Sequence, residues 1–279
     1  MASPFQNAVA VVTGGASGIG RALCEEMGRR GAIVVVTDIQ AEAARAVAEG
    51  ITAAGGRASA AALDVVDPAA FERLLDETIA AHGRLDYLFN NAGMAAAGEM
   101  QTIPLDLWHK VMDVNLWGVV HGARAAYARM VPQGSGQIVN VASLAGIGGM
   151  AIGSPYAASK FAVVGLSLTL RAEGADLGIK VNAVCPAYIQ TRIFENGAYA
   201  GTSAEGVKSL IPFKFVDVDV AARKVLRGVE RNKAMIVFPF YAKLLWWSTR
   251  LHPALAVNVN RKTARAFRRR KARVRTSTD

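Results

Sequence analysis

Residues 8–30 constrain the fold more than any other stretch. An apolar run, Ala8–Val12, leads into Thr13-Gly14-Gly15-Ala16-Ser17-Gly18-Ile19-Gly20, and a helical pattern follows over about 18–30. Glycines at 14, 18 and 20 permit a tight turn and close backbone approach to a ligand. The helix that follows points its unpaired N–H groups and positive dipole end at the same place, which suits a pyrophosphate. Gly14, Ser17, Gly18, Ile19 and Gly20 are therefore the expected dinucleotide contacts of this turn. No Lys closes it, so it is not a triphosphate-binding loop.

The same alternation continues along the chain. Ala32–Thr37, Leu85–Phe89, Gln137–Val141 and Lys180–Cys185 are short apolar runs, and several of the runs are rich in Val and Ile and lack alternation, as expected of strands covered on both faces. Ala58–Leu63 is mostly alanine and is assigned as a strand on its spacing. Helical patterns occupy about 41–54, 68–82, 106–131 and 156–175, and a helix over Val218–Glu230 precedes a last strand, Ala234–Phe238. This order predicts an α/β fold, a doubly wound parallel sheet with helices on both faces. Residues 187–216 hold three glycines, a proline and several aromatics. They lie beyond the carboxyl end of the sixth strand, where such sheets bind ligands, and are expected to cover the substrate. An irregular surface loop is the alternative.

At 279 residues, 52% apolar and 19% charged, the chain is suited to one large buried core and not to disorder. Its net charge of +10 is unevenly placed: residues 243–279 carry eleven Lys or Arg and one acid, which leaves residues 1–242 balanced. Two units are expected, a catalytic domain over 1–242 and an aromatic, then strongly basic, extension over 243–279. Cys24 and Cys185 form no spaced set with the four His, so neither a disulfide scaffold nor a metal site is expected. The N-terminal residues have no signal-peptide pattern, and a reducing cytoplasmic location is expected.

Asp38 ends the second strand 18 residues beyond Gly20, where a carboxylate accepts hydrogen bonds from the adenosine ribose. A 2′-phosphate there would meet like charge, and no basic residue follows to offset it. NAD is expected over NADP. Asp64-Val65 and Asn90-Asn91-Ala92-Gly93 end the third and fourth strands at the same sheet edge.

Tyr156 and Lys160 are four apart in a helical stretch and share a face. A free Tyr has a pKa of about 10, and a nearby ammonium together with an oxidised nicotinamide would favour its phenolate. Tyr156 is then a proton acceptor in alcohol oxidation and a donor in ketone reduction. Ser143, just after the fifth strand, is placed to steady charge on the substrate oxygen. Taken alone, a Tyr and Lys at this spacing are an ordinary surface pair.

Together these pieces resemble the short-chain dehydrogenase/reductase family in its single-domain branch. They are TGGASGIG at 13–20, Asp38, Asp64-Val65, NNAG at 90–93, Asn115 in NLWG, Ser143, Tyr156-Ala-Ala-Ser-Lys160, and Pro186 with Thr191. The resemblance covers roughly residues 5–240. It implies a catalytic tetrad of Asn115, Ser143, Tyr156 and Lys160, with Lys160 also on the nicotinamide ribose and Asn115 holding a relay water. It implies that Asp64 and Val65 meet adenine, that Asn91, Ala92 and Gly93 line the riboses, and that Ile189 and Thr191 reach the carboxamide. Pro186 is followed by Ala187 where members often have Gly, and the extra methyl is expected to crowd the nicotinamide or restrict the loop.

The expected activity is NAD(H)-dependent interconversion of a neutral, fairly hydrophobic secondary alcohol and its ketone. Met94, Ala145, Gly148, Met150, Ile152, Tyr188, Phe194 and Phe213 are the expected substrate border, and none carries a charge. A non-catalytic dinucleotide-binding regulator and an NADP-dependent carbonyl reductase are the alternatives. A homodimer or homotetramer is implied by the resemblance. Leu244, Leu245, Trp246 and Trp247 are expected to pack over the substrate loop or a partner subunit. Alternatively, these tryptophans and the basic residues Lys262, Arg265, Arg268, Arg269, Arg270, Lys271, Arg273 and Arg275 contact an anionic membrane surface. Nucleic-acid binding is the least supported reading, because no recognition module surrounds the charge.

Overall fold

The computed structural model describes residues 3–276, with side chains described over 3–270. Lys271, Arg273 and Arg275 of the basic cluster therefore lie outside the described side chains.

The chain opens with β1 (Val9–Thr13), α1 (Gly18–Arg29), β2 (Ile33–Asp38), α2 (Ala41–Ala53), β3 (Arg57–Ala62), α3 (Pro68–His82) and β4 (Tyr87–Asn90). A short β5 (Ala96–Gly98) and α4 (Leu105–Met112) follow. A π-helical turn at Asp113–Trp117 leads into α5 (Gly118–Gln133) and β6 (Gly136–Val141). Next come α6 (Ala145–Gly148), α7 (Ser154–Glu173), β7 (Ile179–Pro186), β8 (Ala198–Ala200), α8 (Ala204–Lys208), α9 (Val218–Glu230) and β9 (Met235–Phe238). Two helices end the chain, α10 (Phe240–Leu251) and α11 (Pro253–Thr276).

Seven strands form one parallel sheet in the order β3-β2-β1-β4-β6-β7-β9. The order reverses between β1 and β4, which opens a crevice at the carboxyl ends of these two strands. Alternation along each strand feeds two cores. Ala10, Val12, Val34, Val36 and Val139 pack with α1, α2 and α9 on one face. Val11, Val35, Leu88, Ile138 and Val181 pack with α3 and α5 on the other. With both faces covered, polar side chains within these strands, such as Asn90, Gln137 and Asn140, are buried and hydrogen-bonded. β3 differs: it is an edge strand, largely exposed, and its alanines are held by pairing with β2.

Two local departures from the sequence reading concern the active-site side. The helix expected over 106–131 is interrupted. Gly118 N–H donates to the Asp113 carbonyl five residues back, which puts a π turn around Asn115. Residues 187–216 are also not a plain loop. Their ends are tied by a parallel bridge between Ile189 and Val216, and β8 pairs with β5 in a separate two-stranded sheet. The segment is an organised flap stitched to the chain that follows β4.

Candidate active site

The glycine turn is held from below by the chain that follows β4. Gly14 has φ +64°, and a methyl there would stand 2.9 Å from the Ala92 Cα, so only glycine fits. A Cβ on Gly20 would run into the Gly14 carbonyl, which explains the third glycine by space alone. The Asn91 amide Nδ2 donates to the Thr13 and Gly14 carbonyls at 2.9 and 3.2 Å. The Thr13 hydroxyl accepts from the Asn91 and Ala92 N–H groups, both at 3.0 Å. Thr13 was not singled out by the sequence reading. Its position as the last residue of the first strand, directly before the glycines, was the available signal.

Ser17 caps α1 with no side-chain bond, and the first turn of α1 holds no acid. The free N–H groups and the Ser17 hydroxyl are thus available to an anion. Gly18 lies under the Thr191 side chain, and Arg192 follows at the rim. At the other end Asp38 accepts from Ala16 N–H at 3.1 Å and from Gln40 N–H at 3.0 Å. Asp64 accepts from Val66 N–H at 3.0 Å, with Val65 buried beside it. These features fit a dinucleotide: a glycine cradle with free amides, and two carboxylates beside an apolar wall.

One cavity of about 410 Å³ joins these groups to the candidate catalytic residues. Its wall includes Gly14, Ser17, Gly18, Ile19, Asp38, Asp64, Val65, Asn91, Ala92, Gly93, Ser143, Tyr156, Lys160, Pro186, Ile189 and Thr191. Two expected residues are not on the wall. Gly20 is buried behind the turn, and Asn115 is fully buried in the π turn. The Asn115 side chain accepts from Met94 N–H at 2.8 Å and donates to the Met94 carbonyl at 3.0 Å and to the Ser159 hydroxyl at 3.3 Å. It pins the chain beyond Gly93 against α7. A Cβ on Gly93 would be 3.1 Å from Asn115 Oδ1 and 3.5 Å from Lys160 Nζ, so both groups crowd this glycine.

Ser143 follows β6, and its hydroxyl accepts from Ala145 N–H at 3.1 Å. Tyr156 and Lys160 sit in the first turns of α7, started by Pro155. Lys160 is 3% exposed, and its ammonium donates to the Val141 carbonyl at 2.9 Å. Burial lowers the Lys160 pKa to about 8. Burial raises the Tyr156 phenol above its ordinary value, with a hydrogen bond from Ser143 opposing. Cys185, behind Lys160, is pushed up to about 12 by burial and stays a thiol.

The substrate end needs more correction. Met94, Ala145, Met150, Tyr188 and Phe194 line the cavity, but Gly148, Ile152 and Phe213 are not on its wall. Phe213 is instead stacked on Tyr241 of α10, with ring centres 4.2 Å apart. Arg192 and Asn196 also reach the wall, so the cavity is not free of charge. Arg192 also borders an outer cavity with Ala16, Ser17 and Gly18, which puts it beside the glycine turn. Its place directly after Thr191 was a readable signal. Ala187 lines the cavity; its backbone is outside the left-handed region, and its N–H donates to the Phe238 carbonyl at 3.0 Å.

The tail is helical and folded onto this end. Asn260 of α11 accepts from Ala151 N–H at 2.6 Å and donates to the Gly148 carbonyl at 3.3 Å. Arg268 pairs with Glu99 at 2.6 Å, and Arg270 donates to the Ser209 hydroxyl of the flap. Of the four residues expected to pack together, Leu245 and Trp246 are partly buried, while Leu244 and Trp247 are exposed. Helix geometry keeps the two pairs apart, since 245–246 and 244–247 lie on opposite sides of α10. No helix among the described residues is long and apolar enough to cross a membrane.

Comparison with known proteins agrees with this architecture. The family model described as short chain dehydrogenase matches residues 8–199. The chain is 36% identical to a cyclohexanol dehydrogenase of Acinetobacter sp. (strain SE19), covering 68% of this chain and 76% of that one. It is 40% identical to a cis-4-hydroxycyclohexanecarboxylate dehydrogenase of Sinomonas cyclohexanicum, covering 68% and 77%. A solved short chain dehydrogenase/reductase from Burkholderia phymatum in complex with NAD superposes with a TM-score of 0.78 at 28% identity, covering 91% and 92%. The match spans the glycine turn, the NNAG segment and the Ser143, Tyr156 and Lys160 set, and the chain belongs to the short-chain dehydrogenase/reductase family.

Proposed function

We propose that this chain is an NAD(H)-dependent alcohol dehydrogenase that interconverts a neutral, hydrophobic secondary alcohol and its ketone. The observation that carries the reading is one cavity bordered by Ser143, Tyr156 and Lys160 and also by the glycine turn and Asp38. The relatives above are named for alcohols on six-membered rings, one neutral and one a carboxylate, which agrees with the proposal in the ring alcohol.

Asp38 and Asp64 line the adenosine end together with Ile39, Gln40 and Leu63, and no basic side chain is among them. Two carboxylates there favour ribose hydroxyls and oppose a 2′-phosphate. Ser17, the first amides of α1 and Arg192 take the pyrophosphate. The bound nicotinamide supplies the hydride acceptor or donor. Ser143 donates a hydrogen bond to the substrate oxygen. Tyr156 takes the hydroxyl proton in oxidation and returns it in reduction. The Lys160 ammonium lowers the cost of the phenolate by its charge. Asn115 acts through Lys160 and Gly93, keeping the backbone beneath the nicotinamide ribose in place.

Met94, Ala145, Met150, Tyr188 and Phe194 border the substrate, and Arg192 belongs to the phosphate end, so a neutral substrate fits. We also propose a homodimer or homotetramer, supported by Leu105, Trp117 and Phe161, which are 75%, 51% and 47% exposed. A screen of neutral secondary alcohols, read at the nicotinamide absorbance with each cofactor, tests the reading. NAD-dependent turnover of cyclic or aromatic alcohols is expected. Equal or better use of NADP, or binding of NAD without turnover of any alcohol or ketone, would overturn it.

A further inference from the structure

Helix α10 is apolar on two opposite sides. Its inner side packs on the body through Ala242, Tyr241 and Trp246. Its outer side presents Phe240, Leu244, Trp247 and Leu251, which are 72%, 56%, 58% and 72% exposed. At 3.6 residues per turn these four positions fall within an arc of about 60°. Lys243 and Arg250 are exposed along one edge of this ridge. The start of α11 also exposes Leu255 and Val259, at 45% and 48%. A folded body leaves such a stripe open only where something covers it.

Charge points to the occupant. Further along α11, Arg261, Lys262, Arg265 and Arg269 are exposed and form no ion pair among the described residues. The net charge of +10 resides wholly in residues 243–279, with none left over in 1–242. A second copy meeting this ridge would bring two such excesses together with no counter-charge from the body. An anionic lipid surface complements both the ridge and the cations.

We propose that α10 and α11 form a membrane-contact surface, with the Phe240–Leu251 ridge seated at the lipid headgroup boundary and the α11 cations on lipid phosphates. Trp247 suits that boundary, being apolar in body and polar at one edge. The inner side of α11 reaches the cavity wall, because Asn260 holds the Gly148–Ala151 segment and Gly149 and Met150 line the wall. A hydrophobic alcohol dissolved in the bilayer would then reach the cavity from the Gly149–Met150 side. This last step alone rests on the proposed function; the docking does not.

Flotation of the full chain with phosphatidylcholine vesicles, with and without phosphatidylserine and at low and high salt, tests the docking. Binding is expected with phosphatidylserine at low salt and release at high salt. The triple variant Lys262→Gln, Arg265→Gln, Arg269→Gln is expected to bind on the order of a hundredfold more weakly. The double variant Leu244→Ser, Trp247→Ser is expected to lose at least about tenfold. Both are expected to keep the native melting profile. Tryptophan fluorescence of the unaltered chain, quenched by lipids with brominated acyl chains, gives a second readout without substitution. Equal flotation on neutral vesicles, no quenching, or unchanged binding by the double variant would overturn the proposal. So would a double variant of halved mass in light scattering with unchanged flotation, which makes the ridge a subunit contact. Equally tight binding to duplex DNA, retained by the double variant, would make the tail a general polyanion binder.

Discussion

The Lys160 ammonium lies 5.7 Å from the centre of the Tyr156 ring while it donates a 2.9 Å hydrogen bond to the Val141 carbonyl. The end of β6 thus fixes the cation, and one turn of α7 fixes the phenol beside it.

Tyr156→Phe removes the proton and leaves the cavity shape nearly unchanged. Turnover is expected to fall by about 10²–10⁴-fold while NAD affinity stays within about twofold. Steady-state kinetics and a fluorescence titration with NADH check this. Near-normal turnover would remove Tyr156 from the chemistry.

The pH dependence follows from the raised Tyr156 value. Oxidation needs the phenolate, which is scarce at neutral pH when burial holds the proton on. Its rate is expected to climb between about pH 6 and pH 8, where Lys160 keeps its charge. Reduction needs the neutral phenol and is expected to be flat over the same range. Rates measured in both directions across this range decide it, and a rise in both alike would contradict the assignment.

Lys160 titrates at about 8 in the folded protein, against an ordinary value of 10.5. Below pH 8 the group is protonated in both states, and the fold bears the full cost of the buried ammonium. Between 8 and 10.5 the unfolded chain binds more protons, so stability contributed by this group rises with pH. Lys160→Met is therefore expected to be more stable at pH 7 by about 1–3 kcal/mol, with the gap closing toward pH 10. The variant is expected to be inactive. Thermal melts of both proteins at pH 7 and pH 10 test the sign, and a gap that widens with pH would refute it.

Asp38→Asn removes one of the two carboxylates at the adenosine end. The ratio of kcat/KM for NADP to that for NAD is expected to rise by about ten- to a hundredfold. Parallel assays with the two cofactors measure it. An unchanged ratio would mean that Asp38 does not face the 2′ position.

Gly14→Ala places a methyl 2.9 Å from the Ala92 Cα on a backbone with φ +64°. A loss of about 1–3 kcal/mol is expected, or about 2–4 °C in Tm for each kcal/mol. NAD affinity is expected to fall as the turn shifts. A melt equal to that of the unaltered chain would show that the turn adapts.

Much of this molecule was legible before its structure. Apolar strands alternating with helical periods dictated the parallel sheet, because period and covering are local consequences of residue order. Gly14, Gly18 and Gly20 announced the turn, since no other residue permits that backbone and that space. Other features are non-local. Asn91 and Thr13 brace the turn through hydrogen bonds across nearly eighty residues, and no periodicity encodes such a pair. Asn115 is off the cavity wall because a π turn rotates it toward Met94. Phe213 left the substrate border because Tyr241, far along the chain, offered it a stacking face. Composition located the positive charge in the tail. Only tertiary packing decided that Leu245 and Trp246 turn inward while Leu244 and Trp247 face out, because a helix surrounded by apolar residues takes its direction from the surface it meets.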